Sequence, residues 1–280
     1  MAAPADRYAV MGNPVAHSKS PRIHALFAEN TQQKLRYDAI EVAIGLFEER
    51  VAAFFNDGNH GLSITVPFKE AAWYLADKKT ARAKTAGAVN TLWRDENNCL
   101  NGDNTDGIGL VRDLTENHDI PVKNTRILVL GAGGAVRGVL APLINEQPAL
   151  ITVANRTFSK AEELVEIFSQ EKKSSNQVRL NACSFDMIQG DFDLIINGTA
   201  ASLQGQTLPV SPDIINPETV CYDMMYGSGE TVFNKWARES GALKCIDGLG
   251  MLVEQAAEQF FIWRGVRPET ASVLAALRGC

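Results

Sequence analysis

At 280 residues the chain is long enough to bury one or two cores, and 45% hydrophobic with 21% charged residues is the composition of a globular protein, not of a disordered or fibrous one. A formal net charge of -6 with no long Lys/Arg run argues against nucleic acid or anionic lipid as the main partner, which leaves a small molecule. The five cysteines (Cys99, Cys183, Cys221, Cys245, Cys280) are scattered, odd in number and without a C-x-x-C pair, so neither a disulfide framework nor a zinc site is indicated; they read as reduced thiols.

The N-terminal Met-Ala-Ala-Pro-Ala-Asp-Arg lacks a basic segment followed by an apolar run, and no apolar stretch is long enough to span a bilayer. A cytoplasmic location is expected. Short apolar runs then alternate with helix-like periodic stretches, the pattern of a largely parallel sheet covered on both faces. In the first third, residues 8–11, 37–42 and 62–66 read as strands, with helices starting near Pro21 and Leu46 between them. Ser20 followed by Pro21 has the form of an N-cap with proline at the first helical position. Residues 89–93 and 99–101, separated by the turn-prone Asp95-Glu96-Asn97-Asn98, read as an antiparallel hairpin.

Residues 107–117 are expected to be helical, and 126–130 form the buried strand that opens a second αβ array. Strands at 151–154, 179–182, 194–196 and 220–222 continue it, and the chain ends in helices over 250–264 and 268–277. There is no internal repeat, and the one low-complexity patch is the polar loop from Glu171 to Asn176.

Three loops of the first half carry groups suited to proton transfer. In Ser63-Ile64-Thr65-Val66-Pro67-Phe68-Lys69 a proline ends the strand and places a lysine one turn beyond it, pointing into whatever cleft lies past the sheet. Asn90, within Thr85-Ala86-Gly87-Ala88-Val89-Asn90-Thr91, adds an amide, and Asp106, within Gly102-Asp103-Asn104-Thr105-Asp106-Gly107, adds a carboxylate. Together they make the inventory of a proton-transfer site for a small polar substrate. Asp106 is also placed to cap the helix beginning at Gly107. His17, His24, His60 and His118 have no metal-ligand spacing, so no metal is expected.

Directly after the first strand of the second array come Gly131, Ala132, Gly133, Gly134 and Ala135. Glycines there permit a tight turn and let backbone N–H groups approach a pyrophosphate at the positive end of the next helix, although Val136 breaks the strict G-x-G-x-x-G pattern and a plain structural turn is the competing reading. A site for NAD needs Asp or Glu at the end of the next strand to accept the ribose 2′-hydroxyl. Here that strand ends in Asn155, Arg156 and Thr157, with a guanidinium in place of a carboxylate, which favours NADP. The same three residues also suit an N-cap ahead of a helix over 159–168.

These motifs, joined by Gly12-Asn13-Pro14-Val15-Ala16-His17-Ser18-Lys19-Ser20-Pro21 and Gly248-Leu249-Gly250-Met251-Leu252, occur in one order over nearly the whole chain, and the combination resembles the NADP-dependent shikimate dehydrogenases. The resemblance implies an α/β fold of two domains separated by a cleft: an αβ catalytic domain with a mixed, mainly parallel sheet, residues 1–105 plus 249–280, and a Rossmann-like NADP-binding domain, residues 106–248. It implies reversible NADPH-dependent reduction of 3-dehydroshikimate to shikimate, on the way to chorismate and the aromatic amino acids, by a monomer or homodimer. Lys69 corresponds to the proton donor and acceptor, and Asp106 to its partner. Ser18 and Ser20 match carboxylate-binding serines, and Thr65, Asn90, Tyr226 and Gln255 match further substrate contacts. Gly131, Ala132, Gly133, Gly134, Ala135, Asn155, Arg156, Thr157, Met224 and Gly248 match cofactor positions.

Three departures stand out. Ser63 replaces the usual Asn before Thr-x-Pro-x-Lys, which bears on support of that loop. Lys160 stands where a second phosphate-binding Arg is common, keeping the charge without the planar fork. Asn197-Gly198-Thr199-Ala200 replaces a more usual Asn-Ala-Thr-Ser. Competing functions are a relaxed quinate/shikimate dehydrogenase, a methyltransferase, which would want an acid at the second strand's end, and a non-catalytic sensor, which has no need of Lys69 and Asp106.

Overall fold

The computed structural model describes residues 5–170, 178–201 and 205–279; the polar patch 171–176, Cys280 and the first four residues lie outside them. In chain order the elements are β1 (Asp6–Gly12), α1 (Ser20–Asn30), β2 (Leu35–Glu41), α2 (Phe47–Asn56), β3 (Gly61–Ile64), α3 (Lys69–Leu75), β4 (Lys78–Lys79), α4 (Ala81–Ala86), β5 (Thr91–Arg94), β6 (Leu100–Asp103) and α5 (Asp106–Arg112). There follow β7 (Arg126–Leu130), α6 (Gly134–Asn145), β8 (Leu150–Ala154), α7 (Phe158–Gln170), β9 (Arg179–Cys183), β10 (Leu194–Asn197), β11 (Val220–Asp223), α8 (Val232–Glu239), β12 (Lys244–Asp247), α9 (Leu249–Arg264) and α10 (Ala271–Arg278). The chain divides into two compact units, residues 1–109 with 252–280 and residues 110–251. No helix among the described residues is long and apolar enough to cross a membrane.

The first unit is built on a mixed sheet of order β2-β1-β3-β5-β6-β4. β1 runs parallel to β2 and β3, whereas β3–β5 and β5–β6 are antiparallel, the latter pair forming the expected hairpin. The period-2 geometry of a strand divides β1 between two cores: Ala9 and Met11 pack with Leu62, Phe54 and Phe68, while Tyr8 and Val10 pack with Val15 and Tyr37. α9 is buried along most of its length, and its Glu254, Gln255, Glu258 and Gln259 are buried as well. Polar groups removed from water need partners, so this helix must place them against other polar groups.

The second unit holds six parallel strands in the order β12-β11-β10-β7-β8-β9. Strand order reverses at β7, the arrangement of a doubly wound dinucleotide-binding sheet. Ile127 and Val129 of β7 face a different core from Leu128 and Leu130, which is why the strand reads as an apolar run from Ile127 onward.

Local details differ from the sequence expectations. Ser20 is the first residue of α1 and Lys19 occupies the N-cap position; the Ser18 hydroxyl instead accepts the Ser20 N–H at 3.3 Å. The helix expected over 107–117 keeps α geometry only to Arg112 and widens to π geometry over Asp113–Asn117. There the fully buried Asp113 carboxylate accepts from Tyr222 Oη at 2.6 Å and Asn117 Nδ2 at 2.9 Å. β4 and β12 were not expected from the sequence: Lys78-Lys79 is too short and polar, and Lys-Cys-Ile-Asp shows no alternation.

His24 is an exception to the usual exposure of histidine. It is buried on α1, stacked on Tyr37 at 4.2 Å, and burial pushes its pKa down to about 3. Because the folded value lies below the ordinary 6.5, the unfolded chain binds the proton more readily; the stabilisation is complete above pH 6.5 and is lost as pH falls toward 3. Between pH 7 and 5 this one group should cost about 2 kcal/mol of unfolding free energy. Urea titrations at the two pH values should show that loss, and His24→Phe should remove most of it; an unchanged slope in the variant would assign the pH dependence to other groups.

Candidate active site

β3 stops at Ile64, and Phe68, stacked on Phe47 at 4.7 Å, anchors the following turn so that Lys69 becomes the first residue of α3. Lys69 Nζ donates to Asp106 Oδ2 at 2.5 Å, and the two side chains retain 30% and 13% of their exposure, so the pair is sheltered yet reachable. Asn90 Nδ2 donates to the other carboxylate oxygen, Oδ1, at 2.9 Å. A carboxylate held at both oxygens by an ammonium and an amide has its plane fixed, and charge assistance strengthens both bonds. The alternative role of Asp106 as a helix cap falls away, since its own N–H is the one capped, donating to Asn104 Oδ1 at 3.1 Å.

Asn90 is the hub of this cluster. Its Oδ1 accepts the Thr105 N–H at 2.9 Å and the Thr91 hydroxyl at 2.7 Å, while Nδ2 also lies 3.0 Å from Thr105 Oγ1 and 3.4 Å from Gln255 Oε1. The fold therefore brings Lys69, Asn90, Asp106 and Gln255 together from α3, the start of β5, α5 and α9. Thr65 lies in the same turn as Lys69, its carbonyl accepting the Phe68 N–H at 3.0 Å. Ser18 and Ser20 sit at the start of α1 and make no hydrogen bond to the Lys69–Asp106 pair among the described residues. Tyr226 belongs to the second unit, in the loop after β11, and burial raises its phenol pKa, keeping it a neutral donor.

In the second unit the loop after β7 sits where strand order reverses. Gly131 has φ +107, a left-handed conformation that a side chain resists, and its N–H donates to Ala154 O at 2.7 Å. Gly133 is the N-cap of α6; at Gly133 and Gly134 an added Cβ would meet nothing within 4 Å, so the loop faces open space above the positive end of a 12-residue helix. The Val136 and Gly198 departures explain each other. An added Cβ at 198 would come 2.4 Å from Val136 Cγ2 and 3.1 Å from Met224 Sδ, so the valine occupies the space that alanine at 198 would need.

At the end of β8, Asn155 is half-buried and its Nδ2 bonds Thr157 O at 2.9 Å, which leaves Arg156 and Lys160 exposed and without an ion-pair partner among the described residues. Met224 and Gly248 are neighbours at the ends of β11 and β12, where an added Cβ at 248 would fall 2.3 Å from Met224 O. The open glycine turn, the helix end and two free cations suit a dinucleotide carrying a 2′-phosphate.

The sequence reading missed Gln259, Tyr37 and the bonding role of Ser63. Tyr37 Oη donates to Ser63 Oγ at 2.6 Å, Ser63 Oγ donates to Gln259 Oε1 at 2.6 Å, and Gln259 Nε2 donates to Asn90 O at 3.1 Å. A signal was present: Glu254-Gln255 recurs as Glu258-Gln259, so the same polar pair returns one turn later on an otherwise apolar helix.

Such a sheet binds a dinucleotide at the reversal of strand order, and a positioned acid is what hydride addition to a carbonyl still requires; the class so defined is the nucleotide-linked oxidoreductases. Comparison with known proteins narrows it. Residues 10–92 match the model described as shikimate dehydrogenase substrate binding domain, residues 113–204 that of shikimate / quinate 5-dehydrogenase, and residues 248–278 that of the shikimate 5'-dehydrogenase C-terminal domain. The chain is 56% identical, over 98% of its own length and of the relative's, to the shikimate dehydrogenase (NADP(+)) of Marinobacter nauticus. It is also similar to the crystal structure of shikimate 5-dehydrogenase from Thermus thermophilus in complex with NADP(H) and shikimate, at TM-score 0.83 and 31% identity over 98% and 99% of the two chains. A 5-ketofructose reductase from Gluconobacter shares the architecture at TM-score 0.84 and 26% identity over 99% of both chains, so the fold alone does not select the substrate. The chain belongs to the shikimate dehydrogenase family.

Proposed function

We propose that this chain catalyses the reversible NADPH-dependent reduction of 3-dehydroshikimate to shikimate, in the route to chorismate and the aromatic amino acids. The reading is carried by the 2.5 Å contact of Lys69 with Asp106 in a chain of this family. Bound NADPH supplies a hydride to the C3 carbonyl carbon. Lys69 donates a proton to the carbonyl oxygen as its π bond opens, giving the neutral hydroxyl, and takes that proton back in the oxidation direction. Asp106, pinned by Asn90, keeps the ammonium aimed. Ser18 and Ser20, at the positive end of the 11-residue α1, bind the substrate carboxylate, with Thr65, Asn90, Tyr226 and Gln255 on its remaining polar groups. Gly131 to Ala135 cradle the pyrophosphate, Asn155, Arg156, Thr157 and Lys160 hold the 2′-phosphate end, and Met224 and Gly248 complete the cofactor site. Residues 1–105 with 249–280 form the substrate domain and 106–248 the NADP domain of a cytoplasmic monomer or homodimer.

The test is the initial rate of NADP and NAD reduction with shikimate, with quinate in parallel. Fast turnover confined to shikimate and NADP supports the reading. Comparable rates with quinate or NAD would move the protein to the relaxed branch that the shikimate / quinate model also covers, and no turnover with either acid would overturn the assignment.

Arg156→Ala should raise KM for NADP by about tenfold or more while leaving KM for NAD within about twofold, because only NADP carries the phosphate that a free guanidinium recognises. Equal effects on both cofactors would show that Arg156 only packs or caps α7.

A further inference from the structure

Gln259 is 1% exposed and spans two groups whose hydrogen-bonding capacity leaves no freedom in how it is oriented. The Asn90 carbonyl can only accept, so the amide nitrogen of Gln259 must face it, and the Gln259 oxygen must face Ser63. Ser63 then uses its single proton on Gln259 and accepts the hydrogen bond that Tyr37 donates. Burial pushes the Tyr37 phenol upward, so the phenol keeps that proton to donate. The result is one chain of bonds with a single polarity, running from Tyr37 through Ser63 and Gln259 to Asn90, whose side chain holds Asp106.

We propose that Gln259, acting through Ser63 and Asn90, is a positioning residue for the reaction: it sets the Asn90 loop that aligns Asp106 and Lys69. The inference rests on the functional reading above. It gives the departure at position 63 a physical meaning. Serine is too short to carry an amide to the Asn90 backbone, and Gln259 delivers one from α9; asparagine at 63 would bring its own. Neither side chain touches the reacting atoms, so the effect must pass through the groups they hold.

Gln259→Leu keeps the size and removes both polar ends. Expected are a loss of about tenfold in kcat/KM for shikimate, KM for NADP within about twofold of its original value, and a displaced kcat–pH profile. Adding Ser63→Asn to that variant should recover kcat/KM to within about threefold of the parent, which repair of packing alone would not do. A lower melting temperature with kcat, KM and pH profile unchanged would make Gln259 a packing residue and overturn the proposal, as would failure of Ser63→Asn to restore any activity in a folded variant. Should the parent chain not turn over shikimate, the functional reading falls by itself. The positioning claim is then decided by the rate at which Lys69 is amidinated, mapped by peptide mass, which must rise several-fold in Gln259→Leu as Asp106 loosens.

Discussion

Lys69→Ala should lower kcat for shikimate oxidation by roughly two to four orders of magnitude while KM stays near its original value, because the lysine acts on the proton transferred in the transition state more than on substrate binding. The loss has two parts. The developing alkoxide no longer receives a proton, and Asp106, still bonded to Asn90, is left without the ammonium it holds at 2.5 Å, presenting bare negative charge toward the oxygen. Lys69→Arg separates them, since a guanidinium keeps the charge but does not release its proton and so cannot act as a base. Arginine should therefore fail to restore oxidation even where it restores the ion pair. Rates near the original in Lys69→Ala, measured with saturating NADP and shikimate, would remove Lys69 from the mechanism.

What could be read from the sequence follows from how far apart in the chain each interaction lies. Runs such as residues 127–130 announce themselves because a strand buried on both faces is apolar at every buried position. The cationic end of β8 was equally visible, since Arg156 stands at a fixed spacing from Gly131. Lys69 and Asp106 could be named from their loops, but the hydrogen bond of Asn90 to the far carboxylate oxygen depends on β5 pairing between β3 and β6, which no local pattern encodes. Gln259 lies 169 residues from Asn90, and only the return of α9 to the first unit brings the amide to that carbonyl. The end of the helix over 107–117 was misread for a related reason. Propensity favours continuing it, and the turn widens where Asp113 is bonded by Tyr222, 109 residues away.

That same aspartate sets the second large effect. An ideal Cβ added to Gly250 would fall 1.9 Å from Asp113 Oδ1 and 2.5 Å from Oδ2, well inside contact distance of a group that is 0% exposed and already fixed by Tyr222. Gly250→Ala gains helix propensity at the start of α9, about 1 kcal/mol in its favour. Against this, the overlap forces the Asp113 carboxyl group away from the Tyr222 hydroxyl, leaving a buried donor and a buried acceptor poorly matched, on top of the usual cost of overpacking. The balance should be a destabilisation of about 3 kcal/mol or more, seen as a lower urea midpoint with an unchanged slope. Asp113→Ala combined with Gly250→Ala removes the overlap but leaves Tyr222 without its acceptor, so the double variant should recover only part of the loss. A single Gly250→Ala variant as stable as the parent would mean that the wide turn at Asp113 yields freely, and that the closeness of α9 to this carboxylate is not what requires glycine there.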